Sequence, residues 1–329
     1  MKKNCTFALE KKRPYKFMIN RILIRIKIFQ ILYAYFKCED KTLEAIKKEM
    51  FHCFDKAYEL YFHLFALPLI ITKYFEDRIE LRKNKFRPTK ADLNPNLRFV
   101  ENSFVKQLAV NVELNNFIRK NKLSWANYPD VIKKLSEIIS NSIFYKEYIE
   151  IKTPDYERDK EIWRKIFKRI IAPNKSLEDA LEEQSIYWTN DTEIIVSFIV
   201  KTIKKFEAEN GNLQNFYPQY YDSVEDKMFA EKLLTVVINR DNEFTQLIEK
   251  HTSNWEIERI AFIDIVILKM ALAEILTFPA VPIDVTMNEY IELAKEYSTE
   301  KSSTFVNGVL DGIVDELDKA NKLIKVKSF

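Results

Sequence analysis

The chain has 329 residues, 47% hydrophobic and 31% charged, with 24 Phe and 16 Tyr, enough apolar side chain for a sizeable core. It has only 3 Gly, where average usage would supply roughly 23. That scarcity excludes glycine-cradled phosphate and dinucleotide sites and favours long helices joined by few tight turns. Net charge is only +3, but residues 1–30 carry nine Lys or Arg against one acid, Glu10, and the rest of the chain is net −5. A basic arm on a mildly acidic body is a signature of nucleic-acid contact.

Residues 1–17 are polar, contain Pro14 and read as a flexible basic tail. A helix is expected over 19–36, where Ile19, Ile22, Ile26, Phe29 and Tyr33 share one arc and Ile24, Ile28, Ile31 and Tyr35 another. Apolar surface on two sides predicts cover on two sides. Arg21 and Arg25, four apart, share a face. One or two amphipathic helices are expected over 41–83, with Pro68 as a kink or break. Residues 83–96, with Arg87-Pro88 and Asn94-Pro95, read as a linker.

Further helices are expected at 97–120, 129–151, 155–171, 176–187 (capped by Ser176) and 190–210. The stretch 211–223, holding Gly211 and Pro218, marks the main internal boundary. Beyond it, helices are expected at 224–240, 242–251, 255–277, 283–297 and 300–322. Pro279 and Pro282 separate two of these. Gly308 and Gly312 fall four apart inside the last helix, which predicts a close helix–helix approach there.

Cys5, Cys38 and Cys53 have no metal-ligand spacing, and an odd number of cysteines suits a reducing compartment. His52, His63 and His251 are expected to be ordinary core or surface residues. The longest apolar stretch, near Phe62–Thr72, is interrupted by His63 and Pro68. It falls short of the roughly 20 apolar residues a membrane-spanning helix needs. A cytoplasmic protein without cofactor, metal or catalytic residues is expected.

The C-terminal third carries three blocks in a distinctive order. The first is Trp255-Glu-Ile-Glu-Arg-Ile followed by Ile263-Asp-Ile-Val-Ile-Leu-Lys-Met-Ala-Leu-Ala-Glu-Ile-Leu276. The second is Val281-Pro-Ile-Asp-Val-Thr-Met-Asn-Glu-Tyr-Ile-Glu-Leu-Ala-Lys295, and the third Phe305-Val-Asn-Gly-Val-Leu-Asp311. Together with Arg21-Ile-Leu-Ile-Arg25 and Gln30-Ile-Leu-Tyr33, these blocks resemble the NusB family. The resemblance covers about a third of the chain.

The resemblance implies an all-α, NusB-like helical bundle of two subdomains, enlarged by a helical insertion. The expected organisation is a tail at 1–17, a first NusB-like helix at 18–36 and an insertion at 37–223. The insertion is expected to include the family's second helix, near 43–65. A NusB-like helical core follows at 224–322, then a tail at 323–329.

By the same resemblance, the protein would be a transcription antitermination factor without enzymatic activity. It would bind boxA-like single-stranded nascent RNA together with NusE, a small-subunit ribosomal protein. It would act indirectly on the RNA polymerase elongation complex and promote transcription of ribosomal RNA operons. Arg21, Arg25 and Tyr33 match RNA-contacting positions, and Lys27 belongs to the same basic helix. Asp264, with Lys301 and Ser302, falls in regions of partner contact. Ile265 stands where the family is commonly basic, and Lys301 where it is often acidic. Phe305, Asn307 and Gly308 are expected to be structural, with Asn307 bonding a neighbouring backbone; Asn288 and Glu289 either brace the helix end near Thr286 or contact a partner. The alternative is an RNA-binding accessory module or a helical scaffold without antitermination activity.

Overall fold

The structure is a computed structural model that describes residues 21–37, 41–216, 224–252 and 260–323. The basic tail at 1–17, Cys5, Cys38 and the start of the Trp255 block lie outside the described residues. The fold is all-α, with no strand among the described residues.

Helix α1 spans Arg21–Lys37. Helix α2 spans Leu43–Phe65 and opens on Thr42, whose hydroxyl accepts from the Ala45 N–H. The break expected at Pro68 falls just before it: Ala66 ends α2, and Pro68 lies in the first turn of α3, Leu67–Lys83. Proline is tolerated there because the first-turn N–H has no helical acceptor anyway.

Short polar side chains cut the next segments more finely than hydrophobic periodicity suggests. The presumed linker holds a one-turn helix α4, Lys90–Leu93, closed by a reciprocal capping box between Thr89 and Asp92. The single helix expected at 97–120 is two, α5 at Ser103–Ala109 and α6 at Val112–Asn121, capped by Asn102 and Asn111. Ser142 likewise separates α7, Pro129–Asn141, from α8, Ile143–Ile149. Helix α9, Tyr156–Ile166, runs on into a π-helical turn at Phe167–Ile171.

Asn174, not Ser176, caps α10, Lys175–Gln184, because its side chain accepts from the Leu177 N–H. A 3₁₀ turn at Ile186–Trp188 precedes α11, Thr192–Lys205. A second 3₁₀ segment, Ala208–Leu213, holds Gly211 at a φ of 50°, where a side chain would be strained.

The C-terminal helices are α12 (Val224–Asn239), α13 (Asp241–His251), α14 (Phe262–Thr277), α15 (Ile283–Tyr297) and α16 (Ser302–Lys319). Helix α14 is apolar around almost its whole circumference and sits centrally, packed by α1, α12, α13, α15 and α16.

Helix α1 is also buried on two sides. It packs on α12 and α14 through one face and on α2 through another. Leu23, Ile24, Ile28 and Leu32 are among its fully buried residues. Helix α2 in turn packs on α11 and α6. One continuous hydrophobic cluster therefore runs from α1 into both the C-terminal bundle and the long segment between α1 and α12.

Candidate nucleic-acid and partner interface

The charges of α1 divide by helical geometry. Residues four apart lie about 40° apart around an α-helix, and residues two apart about 200°. Arg21 and Arg25 therefore share a face, while Lys27 points the other way. Both guanidinium groups lie over the Phe229 ring of α12, at 4.9 and 5.5 Å from its centroid.

Arg25 then turns inward. It donates from Nε to Glu274 Oε2 at 2.8 Å and from Nη2 to Oε1 at 2.6 Å, the two-pronged geometry that suits guanidinium and carboxylate. A third bond reaches Glu289 at 3.2 Å. Tyr290 donates to Glu274 at 2.9 Å, and Thr286 donates to it at 3.3 Å. Burial works against the charge on Arg25, but the bond to Glu274 and the charges of Glu274 and Glu289 outweigh it, so its pKa is raised. Glu289, half-buried on α15, is thus a bracing carboxylate. Its neighbour Asn288 is exposed.

Lys27 is buried on the opposite side of α1. Its ammonium lies 2.6 Å from Asp191, the residue that opens α11, and donates to the Tyr187 carbonyl and to Gln30, each at 3.2 Å. Burial raises the Asp191 pKa, and the Lys27 charge opposes that. Cys53 lies in the same charged neighbourhood, buried, its thiol pushed up by burial to about 11. It is therefore a poor nucleophile.

Arg25 is 4% exposed and Lys27 is 2% exposed, so neither presents its charge to a phosphate. Both groups face protein carboxylates. Arg21, with a side chain 37% exposed and a loose ion pair to Asp226 at 3.8 Å, keeps an accessible face.

Tyr33 is also exposed, with its ring edge-on to Phe262 at 5.5 Å. The exposed Lys37 lies over the same Phe262 ring at 4.3 Å from its centroid. Tyr33, Phe262 and Lys37 thus make a mixed aromatic and basic strip. Phe262 and Lys37 were not singled out from sequence, because the contact crosses from α1 to the start of α14.

Asp264, Lys301 and Ser302 come together at a cleft of about 680 Å³, lined also by His251, Phe305 and Gly308. Ser302 donates to Asp264 Oδ2 at 2.8 Å, which ties α16 to α14. The other oxygen, Oδ1, is buried without a hydrogen-bond partner among the described residues. Such an oxygen is costly unless something supplies a donor. Lys301 is exposed at the rim.

The structural residues of α16 sort differently from expectation. Phe305 packs against the core, and Asn307 donates to Asp311 at 2.9 Å rather than to backbone. A methyl group at Gly308 would meet nothing within 4 Å, whereas one at Gly312 would meet His251 Cδ2 at 3.1 Å. Close approach therefore explains Gly312 alone. Gly308 leaves the cleft wall open.

Among known proteins, the NusB family pattern matches residues 193–315. The transcription antitermination protein NusB of Koribacter versatilis is 40% identical over 119 residues, 36% of this chain and 75% of that protein. The chain belongs to the NusB family. The Salinibacter ruber NusB is 48% identical over 97 residues, 30% of this chain, and the match spans only 61% of its length. A solved NusB from T. maritima is 26% identical, covering 50% of this chain and 94% of its own, but its TM-score of 0.28 is too low to speak to the fold. The family match takes in α11 as well as α12 to α16.

Three residues of the site gave faint sequence signals. Glu274 is a lone acid in the apolar run Ala271-Leu-Ala-Glu-Ile-Leu276, and such an acid needs a buried cation. Asp191 gave less, since Asp at a helix start is ordinary capping chemistry. Phe262 precedes the quoted block by one residue and reads as core.

Proposed function

We propose that this NusB-family protein is a cytoplasmic transcription antitermination factor. It binds boxA-like single-stranded nascent RNA together with NusE, acts through them on the RNA polymerase elongation complex at ribosomal RNA operons, and performs no catalysis. The observation that carries the reading is the strip in which exposed Tyr33 and Lys37 of α1 meet the half-buried Phe262 of α14, on a helix that also presents Arg21. Single-stranded RNA is read through unstacked bases on aromatic and guanidinium planes, with cations on the phosphates.

The RNA contacts in this reading are Arg21, Tyr33 and Lys37, continued by the basic residues ahead of α1. Arg25 and Lys27 act as positioning residues that hold α1 in place. NusE docks at the cleft of Asp264, Lys301 and Ser302, meeting the exposed Lys301 at its rim, while the buried Asp264–Ser302 bond holds the cleft wall. Helices α1, α2 and α11 form one subdomain and α12 to α16 the other, with α3 to α10 as the insertion. Contacts of α2 with both α1 and α11 support that division.

The test is binding of boxA-like and scrambled RNA, with and without NusE. The reading expects a preference for the boxA-like sequence that strengthens with NusE. Equal binding of both RNAs in the presence of NusE would favour the accessory or scaffold alternative.

A further inference from the structure

The tip of the insertion, from the end of α3 through α4, concentrates positive charge around an aromatic ring. Between residues 78 and 93 there are six basic side chains, Arg78, Arg82, Lys83, Lys85, Arg87 and Lys90, and two acids. Lys83 pairs with Glu80, and Lys85 with Asp92. Arg78, Arg82, Arg87 and Lys90 are exposed and make no ion pair with the described residues. Between Lys85 and Arg87 stands Phe86, 96% exposed. The Arg87 guanidinium lies 5.8 Å from its ring centroid.

Ordinary helix chemistry accounts for only part of this. Arg82 and Lys83 fall in the last turn of α3, where cations favour the carbonyl end of the helix dipole. That argument does not extend to Arg87, Lys90 or Phe86, which lie beyond the helix.

The loop is also built. The Thr89–Asp92 capping box and the Lys85–Asp92 pair close it, and Pro88 restricts Arg87 to extended backbone. A fixed loop that presents one aromatic face among unpaired cations suits stacked bases and their phosphates.

We infer that the tip formed by Phe86 with Arg82, Arg87 and Lys90 is a second contact for single-stranded RNA. Phe86 stacks on a base and the three cations neutralise neighbouring phosphates. The inference deepens the RNA-binding reading and rests on it for the choice of polymer. The chemistry of the tip itself is independent of α1.

The experiment uses the full chain and fluorescence anisotropy with a boxA-like RNA and an oligouridine of the same length, over a range of salt. The variants are Phe86→Ser, the triple variant Arg82→Gln/Arg87→Gln/Lys90→Gln, and Arg21→Ala as a control in α1. All substituted side chains are wholly or partly exposed, and circular dichroism should show unchanged helix content. Phe86→Ser should weaken both RNAs by about fivefold or more with an unchanged salt slope. The triple variant should flatten the slope of log affinity against log salt by up to about 2.

Tip variants that bind both RNAs like wild type, while Arg21→Ala weakens boxA, would overturn the inference and leave the α1 reading standing. Tip variants that weaken binding while Arg21→Ala does not would uphold the tip and remove the α1 reading. Polyglutamate competing as well as oligouridine, with Phe86→Ser silent, would reduce the tip to a bare basic patch for acidic proteins and overturn the inference.

Discussion

The two sides of α1 are held by the same device built to different standards. Toward α14 and α15, Arg25 meets Glu274 through a two-pronged pair, and Glu289, Tyr290 and Thr286 complete the network. Toward α11, Lys27 meets Asp191 as a single point contact, helped by one carbonyl and one amide oxygen. A buried ion pair offsets its desolvation only when the remaining hydrogen-bonding capacity is filled. The Arg25 side meets that condition more fully. The C-terminal bundle and the α2 and α11 side thus grip one helix with unequal chemistry.

The largest expected effect breaks the stronger grip. Arg25→Ala leaves Glu274 buried without its cation, which should cost about 3–5 kcal/mol in urea unfolding. A loss below about 1 kcal/mol would mean that the network does not hold α1.

The next effect belongs to the α2 and α11 side. His63 on α2 is buried and stacks on Trp125 at 4.2 Å and near Trp188 at 5.2 Å. Burial lowers its pKa from 6.5 to about 4. Between those values the unfolded chain takes up a proton that the folded chain refuses. Its contribution is therefore complete above the unfolded pKa and is lost as pH falls through the folded one. The loss should reach about 3 kcal/mol. His63→Phe keeps the stack and should flatten that part of the pH–stability curve. An unchanged slope would show that another group carries it.

The smallest effect sharpens the account of the bundle. Gly308→Ala removes a helix-interior glycine with open space around it and should stabilise α16 by up to about 1 kcal/mol. The same change at Gly312 should gain less, because His251 must give way. Equal gains in thermal unfolding would contradict the distinction drawn between the two glycines.

Legibility from sequence followed the same divide. The helix expected at 283–297 has those bounds in the structure, because Pro282 opens it and the apolar period within it is regular. The two apolar arcs of α1 correctly implied cover on two sides. Periodicity alone merged α5 with α6 and α7 with α8, since Asn111 and Ser142 act through hydrogen bonds that hydropathy does not register.

The site was legible in part. Spacing placed Arg21 beside Arg25, but which cation meets solvent depends on carboxylates about 160 to 250 residues away in sequence. Glu274 and Asp191 could be paired with Arg25 and Lys27 only once the helices were in place. The Asp264 cleft likewise depends on α16 folding back over the start of α14.

The division of labour within α1 is tested most directly by comparing two variants for boxA-like RNA affinity in the presence of NusE. Arg21→Ala/Tyr33→Ala removes exposed groups, and Lys27→Met/Asp191→Leu replaces the buried pair on the α11 side with apolar volume. The first should weaken binding by at least about tenfold, as expected for a lost stack and a lost phosphate contact, at unchanged stability. The second should bind like wild type and be as stable or more so. Full affinity in the first with loss in the second, at retained stability, would contradict the account and return Lys27 to the RNA.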